Sequence, residues 1–319
     1  MLSASRPARN ACCMAGWQGY RAGEAMRGGD VPGLESWLLA RADGTTLGPR
    51  ARRVFDFLVT QPHQSSYVSA SGIARRVGVN AATAVRLARQ LGFDGWPALQ
   101  QELRSRYLAS LSAAEVLDEH APAVEPAAGA TAASLQRDLA NLHAVARGLD
   151  TGEVRVVAGA VAAASHTLVV GSGSFAAPGI HLAHVGTHLG YDITIERHGG
   201  TQLAAALQRL GPGDVLVALN LWRLPREILR TVSLAVERQL VTCVITDMAS
   251  SPLAAFATHL ITVPSEGAST FPSLVSSMAL INAILAELAH RDPVRTRRAL
   301  ATSEDLWNRL DLIHEVSGR

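Results

Sequence analysis

Five short runs constrain this chain more than anything else in it: TLVVG (167–171), YDITIE (191–196), DVLVALN (214–220), VTCVITD (241–247) and HLITVP (259–264). Each is short for a helix and rich in Val, Ile, Leu or Thr, which is the texture of strands. Their apolar residues run on without regular alternation, which points to strands covered on both faces. Helical stretches such as Pro225–Gln239 lie between most of them. Parallel strands need such crossovers. Residues 134–290 are therefore expected to form an α/β three-layer sandwich around a five-stranded parallel sheet.

The first third has a different texture. Residues 31–111 read as an all-α domain, with helical patterns over Leu34–Arg41, Arg50–Thr60, a stretch ending at Gly92, and Trp96–Leu111. Residues 1–30 are rich in Gly, Ala and Arg with little periodicity and are expected to be a disordered leader, in which Met26 is an alternative start. A helix end followed by a Pro- and Gly-bearing linker is read over 112–133, and a C-terminal helical extension over 291–319.

Charge is divided unevenly. Residues 1–111 carry 14 Arg against 7 acids, and the remainder 15 Arg against 20 acids, with no Lys anywhere. A basic first third points to a polyanionic partner there. From residue 50 to 92 there are seven Arg and one acid, Asp56. That is the electrostatic footprint expected of phosphate binding.

The run ARRVGVNAATAVRLARQLG (74–92) has the layout of a helix-turn-helix. Ala74 is small where two helices approach. Gly78 permits the turn. Asn80 is an N-cap whose side chain accepts from a free N–H of the next helix. On a helical wheel Ala81, Ala84, Ala88 and Leu91 share one side with Val85 nearby; Ala82, Arg86, Arg89 and Gln90 share the other, with Thr83 beside them. Arg86 is expected to read a base, since its planar fork matches guanine O6 and N7. Thr83 is placed to reach a base edge or a phosphate. Arg75, Arg76 and Arg89 are expected on phosphates, the first two from the helix that crosses the DNA backbone in this motif. Such a motif reads two half-sites as a dimer, so the expected partners are double-stranded operator DNA and a second copy of the chain, as homodimer or homotetramer.

These residues resemble the N-terminal domain of the RpiR family of bacterial transcriptional regulators. Val79 to Trp96 is similar to its pattern V-S-x-A-T-V-x-R-x-x-x-x-L-G-F-x-G-[FYW]. Asn80 stands where the family has Ser, and Ala84 where it has Val. Thr83, Arg86, Leu91, Gly92, Phe93, Gly95 and Trp96 are in place. The resemblance implies DNA binding and transcriptional regulation.

Residues 153–290 resemble the sugar isomerase (SIS) domain, the usual partner of that helix-turn-helix. The similarity lies in the turn GSGS (171–174), the phrase LGPGDVLVALN, and ITDMASSPLAAFATHLITVP. It implies a small-molecule effector, with a phosphosugar among the candidates. One departure stands out. Phosphosugar-binding members follow the third strand with a hydroxyl-rich S-x-S-G-x-T loop; here Asn220 leads into Leu221, Trp222, Arg223, Leu224, Pro225 and Arg226. Ser172, Gly173, Ser174, Asn220, Trp222, Arg223 and Arg226 are the expected effector-binding residues, the arginines suiting a phosphate or carboxylate and Trp222 a ring.

Two other readings remain open. GSGSFA satisfies G-x-G-x-x-[GA], and Glu196 ends the following strand where a ribose-binding acid belongs, so a dinucleotide-sensing regulator is an alternative. A second is an SIS-type isomerase, for which Glu266 after the last strand would be the base. No catalytic constellation converges on the strand ends, so no enzyme, cofactor or metal is expected. His181, His184 and His188 share one helix stripe, yet the outer two are about 10 Å apart along the axis and cannot join one metal. Cys12 and Cys13 lie in the leader, Cys243 in a strand, and none has metal-ligand spacing. With no apolar run of membrane-spanning or signal-peptide length, a cytoplasmic protein without membrane partner is expected.

Overall fold

The computed structural model describes residues 33–120 and 129–313. The leader expected over 1–30, including Cys12 and Cys13, lies outside them. The chain divides into two compact units, one running to Val116 and taking in Ser250–Ala255, the other formed by Leu117–Ala249 and the residues from Phe256.

The described residues of the first unit hold the helices α1 (Leu34–Ala42), α2 (Pro49–Thr60), α3 (Pro62–Tyr67), α4 (Ala70–Arg76), α5 (Ala81–Gln90) and α6 (Trp96–Ser110). The short α3 was not read in the sequence. It spans six residues, PHQSSY, too few to show an apolar period, and Pro62 opens it. Leu38, Val54, Phe55, Leu58, Ile73, Leu87 and Leu103 form the core of this unit, joined by Trp37 and Trp96.

The turn between α4 and α5 follows from local chemistry. Ser69 caps α4 by accepting from the Gly72 N–H at 3.2 Å. Gly78 takes φ +65°, a left-handed conformation cheap only for glycine. The Val79 N–H then donates back to the Ala74 carbonyl at 2.9 Å, as a helix C-terminal motif requires. Asn80 Oδ1 accepts from the Ala82 N–H at 2.9 Å and starts α5.

A buried ion pair sits in α6. Arg106 Nε lies 3.1 Å from Glu102 Oε1, with both side chains 2% exposed. The guanidinium also covers the Trp37 ring at 4.4 Å. Burial lowers the Arg106 pKa to about 10, which leaves it charged at neutral pH.

The second unit is a five-stranded sheet flanked by helices. In chain order come α7 (Ala113–His120), which begins in the first unit, α8 (Gly129–Gly148), α9 (Thr151–Ala163), β1 (Thr167–Val170), α10 (Ala176–His188), β2 (Ile193–Glu196), α11 (Gly200–Gln208), β3 (Val215–Asn220), α12 (Arg226–Glu237), β4 (Val241–Thr246), β5 (His259–Thr262), α13 (Val275–Arg291) and α14 (Pro293–Arg309). The segment expected as a linker thus contains α7 and the start of α8; residues 121–128 lie outside the described ones. The sheet order is β2-β1-β3-β4-β5, and all four pairings are parallel.

Val169, Val217, Leu219, Cys243, Ile245 and Ile261 share a core with Val157 and Val161 of α9, Leu182 of α10, and Leu280, Ile284 and Leu288 of α13. The intervening Leu168, Leu216, Ala218 and Val244 are also buried, as expected for a sheet covered on both faces. Burial of Cys243 pushes its thiol up to about 12, so it is an inert strand residue. Helix α10 lies so close that a Cβ at Gly179 would fall 2.8 Å from Val169 Cγ1.

Candidate nucleic-acid and effector sites

Helix α5 buries Thr83, Ala84, Leu87 and Ala88 and exposes Ala82, Arg86, Arg89 and Gln90. Arg75 and Arg76 are exposed at the end of α4, and Asn80 caps the helix that follows. Seven of the eight residues expected on the nucleic-acid face are thus exposed. Thr83 differs. It is 6% exposed, and its Oγ1 accepts from Arg86 Nη2 at 3.3 Å. The wheel placed it beside the polar side, but in the fold Thr83 is buried with Ala84, Leu87 and Ala88. The geometry makes it a support for Arg86.

Sequence reading missed the opposite wall. Gly48, Pro49, Arg50 and Ala51, at the first turn of α2, face Thr83, Arg86 and Gln90 across a groove of about 420 Å³. Arg50, Arg52 and Arg53 are exposed on α2. The excess of arginine over residues 50–92 was the available signal, but it did not say which helix would flank α5.

In the second unit the strand order reverses between β1 and β3, where α/β sheets open a crevice beyond their strand ends. The loops after these strands carry the expected effector residues. After β1, Gly173–Phe175 form one 3-10 turn; Ser172 is half-buried, and Gly173 and Ser174 are exposed. Asn220, the last residue of β3, is 3% exposed and belongs to the core edge, whereas Arg223 and Arg226 beyond it are exposed. Trp222 takes φ +68°, a left-handed conformation rare for an aromatic residue. Its ring meets Phe271 edge-on at 6.0 Å, and the Arg223 guanidinium carbon lies 4.8 Å from the ring centroid.

Two acids at the strand ends complete this region. Asp247, directly after β4, is 4% exposed. Both its oxygens lie 3.1 Å from the Trp222 nitrogen, and Ser265 Oγ donates to Oδ2 at 2.6 Å. Sequence reading passed over Asp247; its place immediately after an apolar strand was the signal. Glu266 is buried and paired with Arg137 at 3.0 Å, and His120 Nε2 lies 4.0 Å away. Glu196, the acid of the dinucleotide reading, accepts from the N–H of His198 at 2.6 Å within its own loop.

Among the histidines of α10, His184 and His188 meet edge-on with ring centroids 4.7 Å apart. His181 bonds Asn282 at 2.8 Å, and His188 bonds Ser303 at 2.9 Å and meets the Trp307 ring. Among the described residues no three His, Cys, Asp or Glu side chains are grouped to hold a metal ion. No helix there is long and apolar enough to cross a membrane.

Comparison with known proteins follows the two units. Residues 41–110 match the family model of the helix-turn-helix domain, rpiR family, and residues 161–287 match that of the SIS domain. The sugar isomerase domain of an RpiR transcription factor from Sphaerobacter thermophilus is 30% identical over 54% of this chain and 96% of its own, with a TM-score of 0.52. The NanR protein of Vibrio vulnificus, solved in complex with ManNAc-6P, is 18% identical over 87% of this chain and 99% of its own, with a TM-score of 0.53.

Proposed function

This chain belongs to the RpiR family of transcriptional regulators, and from that premise we propose that it binds an operator through α4 and α5 under the control of a small effector held at the ends of β1 and β3. The observation that carries the reading is the division of α5. One side is core; the other offers Ala82, Arg86, Arg89 and Gln90 to solvent without an intervening acid. A helix of this kind enters the major groove, where Arg86 reads a base edge while Arg75, Arg76 and Arg89 hold phosphates.

A second copy of the chain supplies the second half-site. The effector acts by favouring one arrangement of the DNA-binding units over another, and only its difference in affinity for the two arrangements is available for that work. Ser172, Gly173, Ser174, Asn220, Trp222, Arg223 and Arg226 hold it, the ring on Trp222 and an acidic group on the arginines. Sugars and their acid derivatives are the class to screen first. No catalytic role is assigned to Glu266, whose carboxylate is committed to Arg137.

The test is titration of such compounds into the protein–operator complex. An effector that changes operator affinity, and whose own binding falls about tenfold or more in Arg223→Ala, supports the reading. A compound that binds this site yet leaves both operator affinity and oligomer geometry unaltered contradicts it.

A further inference from the structure

The outward side of α14 carries its charges in a mirrored order. The helix lies on the second unit through one stripe. Thr296, its one buried residue, donates to the Ala289 carbonyl at 3.4 Å. Ser303 meets His188 at 2.9 Å, and the Trp307 ring meets the same histidine at 5.2 Å. The opposite stripe, at the spacing of one helix side, holds Val294, Arg297, Arg298, Ala301, Glu304 and Asp305, all exposed. Ala301 is its centre. Arginines stand three and four residues before it, and acids three and four residues after it. Bases toward the start and acids toward the end is the reverse of what a helix dipole favours, so the order has no cause within the helix. Among the described residues neither the Arg298 guanidinium nor the Glu304 carboxylate has a partner. Asp305 is paired at 3.4 Å with Arg309 of the same helix, and both side chains are exposed.

We propose that α14 is an interface with a second copy of this chain, the two helices packed antiparallel across a two-fold axis at Ala301. In such a pair, a residue some places before the centre meets the residue as many places after it on the partner, and the contact repeats with the roles exchanged. Arg298 then meets the partner's Glu304, and Arg297 meets the partner's Asp305, each twice. The small Ala301 side chain at the axis lets the helices approach to about 8 Å, the near end of the usual range. A parallel pair would set arginine against arginine and acid against acid, so charge fixes the direction of the contact as well as its register. The proposal deepens the reading above that a second copy supplies the second half-site, and rests on it only for the role in DNA binding.

The experiment is sedimentation equilibrium of the full-length chain without DNA. Wild type, Arg298→Glu, Glu304→Arg, an equimolar mixture of these two variants, and the chain carrying both substitutions are compared. Both positions are exposed, and a thermal melt checks that each variant folds. Each single substitution sets like charges together at two symmetric places, so each variant alone is expected to associate about tenfold or more weakly than wild type. In the mixture, and in the chain with both substitutions, opposite charges face each other again at both places. Association is expected to return to near the wild-type level in each. If another face also joins copies, the loss and its rescue appear at one step of assembly only. A monomeric wild type, single variants that associate as wild type does, or a loss that neither mixing nor the double substitution restores each overturns the proposal. Failure of the parent reading looks different: association lost and restored as expected, in a chain with no preference for its upstream DNA.

Discussion

Arg41 Nε donates to the carbonyl of Leu91 at 2.8 Å, across fifty residues of sequence, and so closes the C-terminus of the helix that carries Arg86. The same guanidinium lies 5.1 Å from the Phe93 ring. A cation at a helix C-terminus satisfies a last-turn carbonyl and opposes the helix dipole. Arg41 therefore fixes α5 against α1 without belonging to the DNA-facing set.

Arg41→Ala is expected to lower the unfolding free energy of the first unit by about 1–2 kcal/mol. Urea denaturation followed by tryptophan fluorescence checks this. An unchanged midpoint would show that the bond adds nothing to the placement of α5.

Glu102→Ala should be far more damaging, because it leaves the Arg106 guanidinium buried without its carboxylate. Removal of one partner of such a pair costs about 3–5 kcal/mol. Replacing both residues by Met should recover much of that loss. The comparison of single and double variants by thermal melting separates the cost of an orphaned charge from the value of the pair.

The contrast between these two interactions shows what the sequence made legible. Local chemistry was readable: Asn80 as a cap, Gly78 at the turn, and the apolar runs that became β1 to β5 within a residue or two. Each depends on residues within a few positions. Long-range pairing was not readable. Nothing near Arg41 announces Leu91, and Asp247 reads as an ordinary residue after a strand until the register brings it to Trp222. Thr83 shows the limit of a helical wheel, which ranks sides of one helix but does not know how much of it α2 and α4 will cover. The α1–α6 unit apart from α3 and the parallel sheet were thus legible, and so was the exposed polar side of α5. The contact between Asp247 and the Trp222 N–H was not.

The groove between α2 and α5 gives a separate expectation. Arg50 lines it opposite Arg86 and lies beyond the recognition helix itself. Arg50→Ala should weaken binding to all DNA sequences alike. It should also reduce the slope of log affinity against log salt by about 1, as loss of one phosphate contact does. A loss confined to the operator would place Arg50 on a base instead.

The central claim is that Arg86 reads sequence. The most direct test is the affinity of the full chain for DNA from its own upstream region and for scrambled DNA, at two salt concentrations, in wild type and Arg86→Ala. Wild type is expected to prefer the upstream DNA, salt to weaken both affinities, and Arg86→Ala to lose about 1–3 kcal/mol of the preference while keeping its non-specific binding. A wild type that binds both DNAs equally, with Arg86→Ala indistinguishable from it on either, would contradict the account.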